Sequence, residues 1–401
     1  MAIRSTRSPD ISMQILIALL AWCVLTAIPV EAAARVTGPA PKKKPAAAVR
    51  KTPAPAVKVS RAPVRKKRPV KPVYNPWKEP TYADSAEGDD FGGDDPVVRK
   101  SAIEALGPLN GSVVAVEAAT GRVLTVVNQK VAFKPGFTPC STIKPFVGMG
   151  GLNENLVERE TIVKISTRVE YNLTEALAKS DNSYFALLGQ RLGFEKVSYY
   201  AKLFGLGERA ASGIAEERPG TLPKAPPANG GVGMMSSFGE GIRVTPLQLA
   251  AAMAAIANGG TLHYLQYPRS GADLDKFVPS IKRQLGIEHL LGEIKPGLVA
   301  AVDHGTARRA SWSQEETILG KTGTCTDQWS PTHLGWFASF NDSSKNKIAV
   351  VVLLTGGRPI NGPVASDVAG KVYRSLTAEG YFQQDRTVSP VALVTPRQCC
   401  L

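Results

Sequence analysis

Residues 316–324 read Glu316-Thr317-Ile318-Leu319-Gly320-Lys321-Thr322-Gly323-Thr324. The run is rich in strand-forming residues and predicts a β-strand. It carries a lysine and two hydroxyls, a set suited to a carboxylate. Glycine inside a strand marks the close approach of a ligand or another backbone. A lysine that merely discourages edge-to-edge aggregation would read the same way. Toward the C-terminus, residues 333–340 and 348–354 predict two more strands and residues 364–376 a helix. At the other end, residues 112–117 and 122–127 flank Ala119-Thr120-Gly121, which reads as a hairpin. The stretch between reads mainly helical. Within it Thr245-Pro246-Leu247-Gln248 is a capping box with proline at the first helical position, and Gly259-Gly260 stops the helix. The simplest assembly is an α/β (α+β) domain: a sheet built from both chain ends, with a helical lobe packed beside it. A site is expected in the cleft between the two.

Two further motifs precede the strand. In Ser141-Thr142-Ile143-Lys144, a helix starting near Ser141 would put the hydroxyl and the amine on one face. Serine needs such a base to become a nucleophile, and a helix start offers N–H groups for developing negative charge. Alone, the pattern arises by chance once per few hundred residues. Ser180-Asp181-Asn182 follows a helical-looking segment, residues 173–179, and presents a hydroxyl and an amide from one turn. Alone it is no more than a helix end or cap.

The chain has 401 residues, a formal charge of +14 and five cysteines. With 43% hydrophobic and 20% charged residues, wholesale disorder is excluded. A single long apolar run, residues 15–30, excludes a polytopic membrane protein. Arg4 and Arg7 precede that run and Glu31-Ala32-Ala33-Ala34 follows it. Residues 1–34 therefore read as a secretory signal or a single membrane anchor, and either places the rest outside the cytoplasm, in the periplasm or on the outer face of the inner membrane. Cys23 in the run, preceded by Trp22, makes a poor lipidation box. Residues 35–80 hold fourteen Lys/Arg against one acid, whereas residues 81–100 hold six acids against two bases. The basic character thus belongs to one Pro/Lys/Ala-rich segment, which argues against nucleic-acid binding. Residues 35–100 are expected to be a disordered tether with an acidic end, and residues 101–385 the folded domain. Asp89-Asp90 and Asp94-Asp95 lack calcium-loop spacing and read as a solvated turn. Residues 386–401 form a tail, in which Cys399-Cys400 suits an intermolecular contact or nothing at all. His263, His289, His304 and His333 show no ligand spacing, so no metal is expected. Gly231 and Gly233 lack the rest of a dinucleotide site, and no cofactor is expected.

Taken together, the three motifs resemble the S-x-x-K, S-x-N, K-T-G trio of the penicillin-recognising serine enzymes. Within them the chain looks like the transpeptidase domain of penicillin-binding proteins. Supporting text runs from about residue 111 to 376 and includes Gly239-Glu240-Gly241, Val244-Thr245-Pro246, Gly305-Thr306-Ala307 and Trp336-Phe337-Ala338. The resemblance implies a central antiparallel sheet with an all-helical lobe. It also implies roles. Ser141 would be the acylated nucleophile. Lys144 would be its base, its pKa lowered by nearby Lys321 and partial burial. Ser180 would relay the proton to the leaving nitrogen, and Asn182 would hold Lys144 and the substrate amide. Lys321, Thr322 and Thr324 would receive the terminal carboxylate beside Gly323. The backbone N–H groups of Ser141 and Thr324 would form the oxyanion hole. The substrates would be D-alanyl-D-alanine ends of peptidoglycan stem peptides, and β-lactams would be covalent inhibitors.

The chain departs from the family pattern in places. The interval between Ser141 and Ser180 is shorter than usual, so a trimmed helical lobe is expected. Asp181 and Cys140 are more familiar from class A β-lactamases. A serine β-lactamase and a penicillin-binding sensor are the competing readings. The first needs a deacylating Glu in an E-x-x-L-N setting, and none occurs between Ser180 and Lys321; Glu216-Glu217-Arg218-Pro219 is the nearest acidic loop. The resemblance also implies that Cys140 and Cys325, each one step beyond a partner in the shared oxyanion hole, form a disulfide. The alternative is two separate buried thiols.

Overall fold

The computed structural model describes residues 75–310 and 316–383. Five strands form the central sheet: β1 (Gly111–Glu117), β2 (Val123–Val127), β3 (Ile318–Thr326), β4 (His333–Asn341) and β5 (Ile348–Gly356). Their order is β2-β1-β5-β4-β3, antiparallel throughout. The N-terminal hairpin thus lies against the last strand, so both chain ends build the sheet. β5 is central, and all nine of its residues are buried. Both of its faces are covered, so it reads as a continuous apolar run rather than an alternation.

The helices that frame the site are α1 (Pro96–Leu106), α2 (Lys144–Asn153), α3 (Leu173–Lys179), α4 (Asn182–Leu203), α5 (Pro246–Ala257), α6 (Glu288–Asp303) and α7 (Gly362–Ala378). α1 and α7 cover one face of the sheet, with Val98, Ala102, Val368 and Val372 in that core. α5 and the helical lobe cover the other. α5 carries the expected capping box between Thr245 and Gln248, and every residue from Pro246 to Ala257 is buried. A small sheet of Ala211–Ser212, Thr261–Gln266 and Ser280–Gln284 was not anticipated.

One expected boundary is corrected. Residues 75–100 belong to the folded unit and not to a disordered linker. The reason lies in the acidic patch: Asp90 is exposed, but the side chains of Asp89, Asp94 and Asp95 are buried. Asp89 accepts hydrogen bonds from the backbone N–H groups of Asn128 and Gln129, both at 2.9 Å. Asp89 and Asp94 both pair with Arg99, at 3.3 and 2.9 Å. Asp94 also accepts from Thr125 and from the Tyr267 hydroxyl. Asp95 caps α1 through the N–H groups of Val97 and Val98. Polar residues that read as solvated are satisfied by partners far away in sequence, which is what makes their burial tolerable. Among the described residues, no group of side chains is arranged to hold a metal and no helix is long and apolar enough to cross a membrane. The apolar run at 15–30, the basic segment before residue 75, and Cys399-Cys400 lie outside the described residues.

Candidate active site

Ser141 sits in a single 3-10 turn, Cys140–Ile143, that feeds α2. The spacing predicts a helix starting near Ser141; the α-helix proper begins at Lys144. Pro145 explains the shift: it has no N–H to bond back to the carbonyl of Ser141, so it belongs in the first turn. Ser141 and Lys144 still share a face, one above the cleft floor and the other beneath it.

Ser180 closes α3 in the left-handed conformation, φ 58°, and Asp181 caps α4 by accepting from the N–H of Tyr184. This sharp reversal aims two acceptors at one amine. Lys144 Nζ donates to the Ser180 carbonyl at 2.6 Å and to Asn182 Oδ1 at 2.7 Å. It also lies 3.2 Å from Ser180 Oγ. The carbonyl and the amide oxygen can only accept, so a neutral amine spends both its N–H groups on them and retains a lone pair. Lys144 is fully buried. Burial pushes its pKa down from 10.5 to about 7, against the opposing charge of Asp181.

Lys321 is likewise fully buried, on β3. Leu319, Lys321, Gly323 and Cys325 alternate onto the strand face that meets the helical lobe, where Leu319 and Cys325 join the core. Lys321 therefore points inward, beneath the cleft. Its amine donates to Ser180 Oγ at 2.7 Å and to the Thr322 carbonyl at 3.1 Å. Burial first, and then the charge of Lys144, hold it well below the usual lysine range. Ser180 Oγ thus lies between two lysine amines.

The nucleophile turn is clamped to β3. Cys140 and Cys325 are joined by a disulfide, with Cα atoms 5.7 Å apart. Between them Gly323 lies so close that a Cβ there would come within 3.0 Å of the Pro139 carbonyl and 3.1 Å of Cys140 Cβ. This is the close approach that a strand glycine foretells. Two residues further out, Thr138 donates through its N–H and its hydroxyl to buried Asp327, at 3.0 and 2.9 Å. Burial pushes the Asp327 carboxyl up while those donors oppose it. The Trp336 indole holds the Thr138 carbonyl at 2.9 Å.

Ser141, Ser180, Asn182, Thr322 and Thr324 line one cleft of about 640 Å³, with Lys144 and Lys321 beneath it. Thr322 Oγ1 meets Thr306 Oγ1 at 2.6 Å, and Thr324 Oγ1 accepts from the N–H of Gly362 at 2.7 Å. The Thr324 hydroxyl keeps its proton for the cleft. Sequence reasoning did not single out Phe238, Arg308, Arg309 or Pro363, which also line it. The dipeptide Arg308-Arg309, directly after the Gly305-Thr306-Ala307 string, was the available signal. Chemically, the arrangement offers a hydroxyl facing a cavity, a basic amine beneath it, and a second hydroxyl able to pass a proton.

A family model described as the penicillin binding protein transpeptidase domain matches residues 111–377. Among curated relatives, "Stage V sporulation protein D" of Bacillus subtilis is 30% identical over 220 residues, covering 51% of this chain and 34% of that protein. "Peptidoglycan D,D-transpeptidase FtsI" of Escherichia coli is 24% identical over 318 residues, covering 67% of this chain and 52% of that protein. The chain thus spans between about a third and about half the length of these two relatives. "Peptidoglycan D,D-transpeptidase PbpA" of Mycobacterium tuberculosis is 25% identical over 333 residues, 67% of each chain. Among solved structures, the D,D-transpeptidase domain of a peptidoglycan glycosyltransferase from Eggerthella lenta aligns with a TM-score of 0.58 at 19% identity. It covers 71% of this chain and 82% of that one, a likeness of fold.

Proposed function

The chain belongs to the penicillin binding protein transpeptidase domain family, and we propose that it is a serine D,D-transpeptidase. Its substrates are the D-alanyl-D-alanine ends of peptidoglycan stem peptides, and β-lactams acylate it covalently. The observation that carries this reading is the buried Lys144 amine, lowered to about 7 and held by Asn182 and Ser180 beneath a cleft onto which Ser141 opens.

Ser141 Oγ attacks the carbonyl carbon of the penultimate D-alanine while the Lys144 lone pair takes its proton. The oxyanion is received by the N–H groups of Ser141 and Thr324, a pair that the Cys140–Cys325 bond and Gly323 keep in register. Ser180, in contact with both amines, hands a proton to the departing D-alanine nitrogen, and the C–N bond breaks. The amine of a second stem then attacks the acyl-enzyme, and Ser141 leaves with a proton returned along the same path. Thr322 and Thr324 hold the terminal carboxylate from the strand edge. Asn182, at the start of α4, orients the substrate amide.

The β-lactamase alternative needs a carboxylate free to activate water. Glu217, the nearest candidate in the sequence, is buried, and its oxygens accept from the N–H groups of Ala210 and Ala211 at 2.8 and 3.0 Å. It does not line the cleft. The same reading extends to the rest of the chain: residues 1–34 export or anchor it, the basic segment before residue 75 tethers it, and it works on the outer side of a bacterial inner membrane. Labelling with a fluorescent penicillin tests the proposal. Label should reside on Ser141, persist for hours, and vanish in Ser141→Ala with folding unchanged. Label on another residue refutes the nucleophile, and loss of label within seconds refutes the transpeptidase in favour of a hydrolase.

A further inference from the structure

The charged side chains that line the cleft are all basic: Lys179, His304, Arg308 and Arg309. His304 is engaged by Glu175 at 3.2 Å. Lys179, Arg308 and Arg309 have no ion-pair or hydrogen-bond partner among the described residues, and no Asp or Glu lines the cleft. The two arginines are exposed, yet the turn that carries them is fixed. Thr306 N–H bonds the Ala178 carbonyl at 3.1 Å, and Ala307 N–H bonds the Ala301 carbonyl at 2.8 Å. Gly305 lies so close to α3 that a Cβ there would come 2.3 Å from the Ala178 carbonyl oxygen. Thr306 is tied by hydroxyl to Thr322 on β3, and Ala307 and Ala310 are fully buried. Flexible side chains therefore spring from a preorganised base, which lowers the ordering cost of binding.

The need for such a group follows from Lys321. Its amine lies under the cleft floor and spends its hydrogen bonds on Ser180 and Thr322. The threonine hydroxyls of the same strand can donate to a carboxylate, but they carry no charge. The positive charge available at the cleft wall lies on Lys179, Arg308 and Arg309, and of these the arginines carry planar forks that match carboxylates two bonds at a time.

We propose that Arg308 and Arg309 form a carboxylate-recognition element that selects anionic donor peptides. The assignment deepens the transpeptidase reading and rests on it. The carboxylate has two possible sources, the terminal D-alanine or a residue further up the stem, and the test separates them. Arg308→Ala/Arg309→Ala and Arg308→Lys/Arg309→Lys are compared with the unmutated protein. Their acylation is followed with benzylpenicillin and with a thioester donor peptide whose upstream carboxyl is free or amidated. The double alanine variant should lose about tenfold or more in second-order acylation. The rate at saturation should hold within about twofold, because the proton-transfer groups are untouched. The dependence on salt should flatten, and lysine should restore only part of the loss. A loss shared by benzylpenicillin assigns the terminal carboxylate. A loss confined to the peptide with the free upstream carboxyl assigns the upstream one. Equal rates with every probe overturn the proposal. If the unmutated protein is not acylated at all, the transpeptidase reading itself fails. Binding of the free-carboxyl peptide to Ser141→Ala, with and without the arginines, then decides the arginine assignment alone: weakened binding supports it and unchanged binding overturns it.

Discussion

The neutral form of Lys144 is the one able to take a proton, so the acylation rate should follow its titration. With the pKa lowered to about 7 by burial, about one tenth of the amine is neutral at pH 6, half at pH 7 and nine tenths at pH 8. The second-order rate of penicillin acylation should therefore rise about tenfold from pH 6 to 8 and then level off. A solvated lysine at 10.5 would behave differently. Its neutral fraction climbs about tenfold per pH unit, so the rate would rise about 100-fold over the same interval and keep rising. Asp181 provides the second arm. Its charge raises the Lys144 pKa, so Asp181→Asn should move the midpoint to lower pH, not higher. Asparagine still caps α4, where Asp181 accepts from the Tyr184 N–H at 2.7 Å, so the fold is preserved. Stopped-flow acylation with a chromogenic cephalosporin across pH 5.5 to 9 measures both. A slope of one persisting to pH 9, or a midpoint that rises in Asp181→Asn, would show that Lys144 is not the base.

Other consequences follow from the clamp and from the N-terminal segment. The Cys140–Cys325 bond closes a loop with a sequence separation of 185, for which chain entropy sets a ceiling of about 5 kcal/mol. Mild reduction, or Cys325→Ser, should lower the denaturation midpoint and slow acylation while the domain stays folded; free alkylation of both thiols in the native protein would contradict it. Deleting the chain through residue 74 should leave acylation and melting unchanged. Deletion through residue 107 removes α1 and the burial of Val98, Ala102 and Leu106, at about 1.5–3 kcal/mol per large side chain. Its melting temperature should fall by many degrees, and an unshifted melt would refute the packing of that segment.

What could be read from the sequence was local. Ser141 and Lys144 stand one turn apart, Ser180 and Asn182 flank a cap, and the strand at 316–324 is marked by its own composition. Each needed only spacing and propensity, and so did the capping box at Thr245. What could not be read depends on distant partners. The acids at 89–95 look solvated until Arg99, Tyr267 and the N–H groups of Asn128 and Gln129 are found around them. Lys321 looks like an exposed edge lysine because nothing nearby in sequence says which face of β3 meets the helical lobe. Once that face is known, alternation with Leu319 and Cys325 forces the amine inward.

That inward turn has a consequence for how the site is powered. Two buried amines approach one hydroxyl, Ser180 Oγ, at 3.2 and 2.7 Å. Two like charges so placed in a medium of low dielectric repel strongly, and neither has an acid side chain as hydrogen-bond partner among the described residues. The cheapest remedy is to release a proton, and the amine that releases it becomes a base. Desolvation, ordinarily a cost to stability, is here the source of basicity. The surrounding fold must then resist the relaxation that would let water in and restore the charge. The disulfide, the Thr138–Asp327 contact and the tight fit of Gly323 all lie on the nucleophile side of that pair, where movement would open it. The charge surrendered by the lysines must be supplied elsewhere if an anionic substrate is to dwell in the cleft, and Arg308 and Arg309 stand on the wall where it can be.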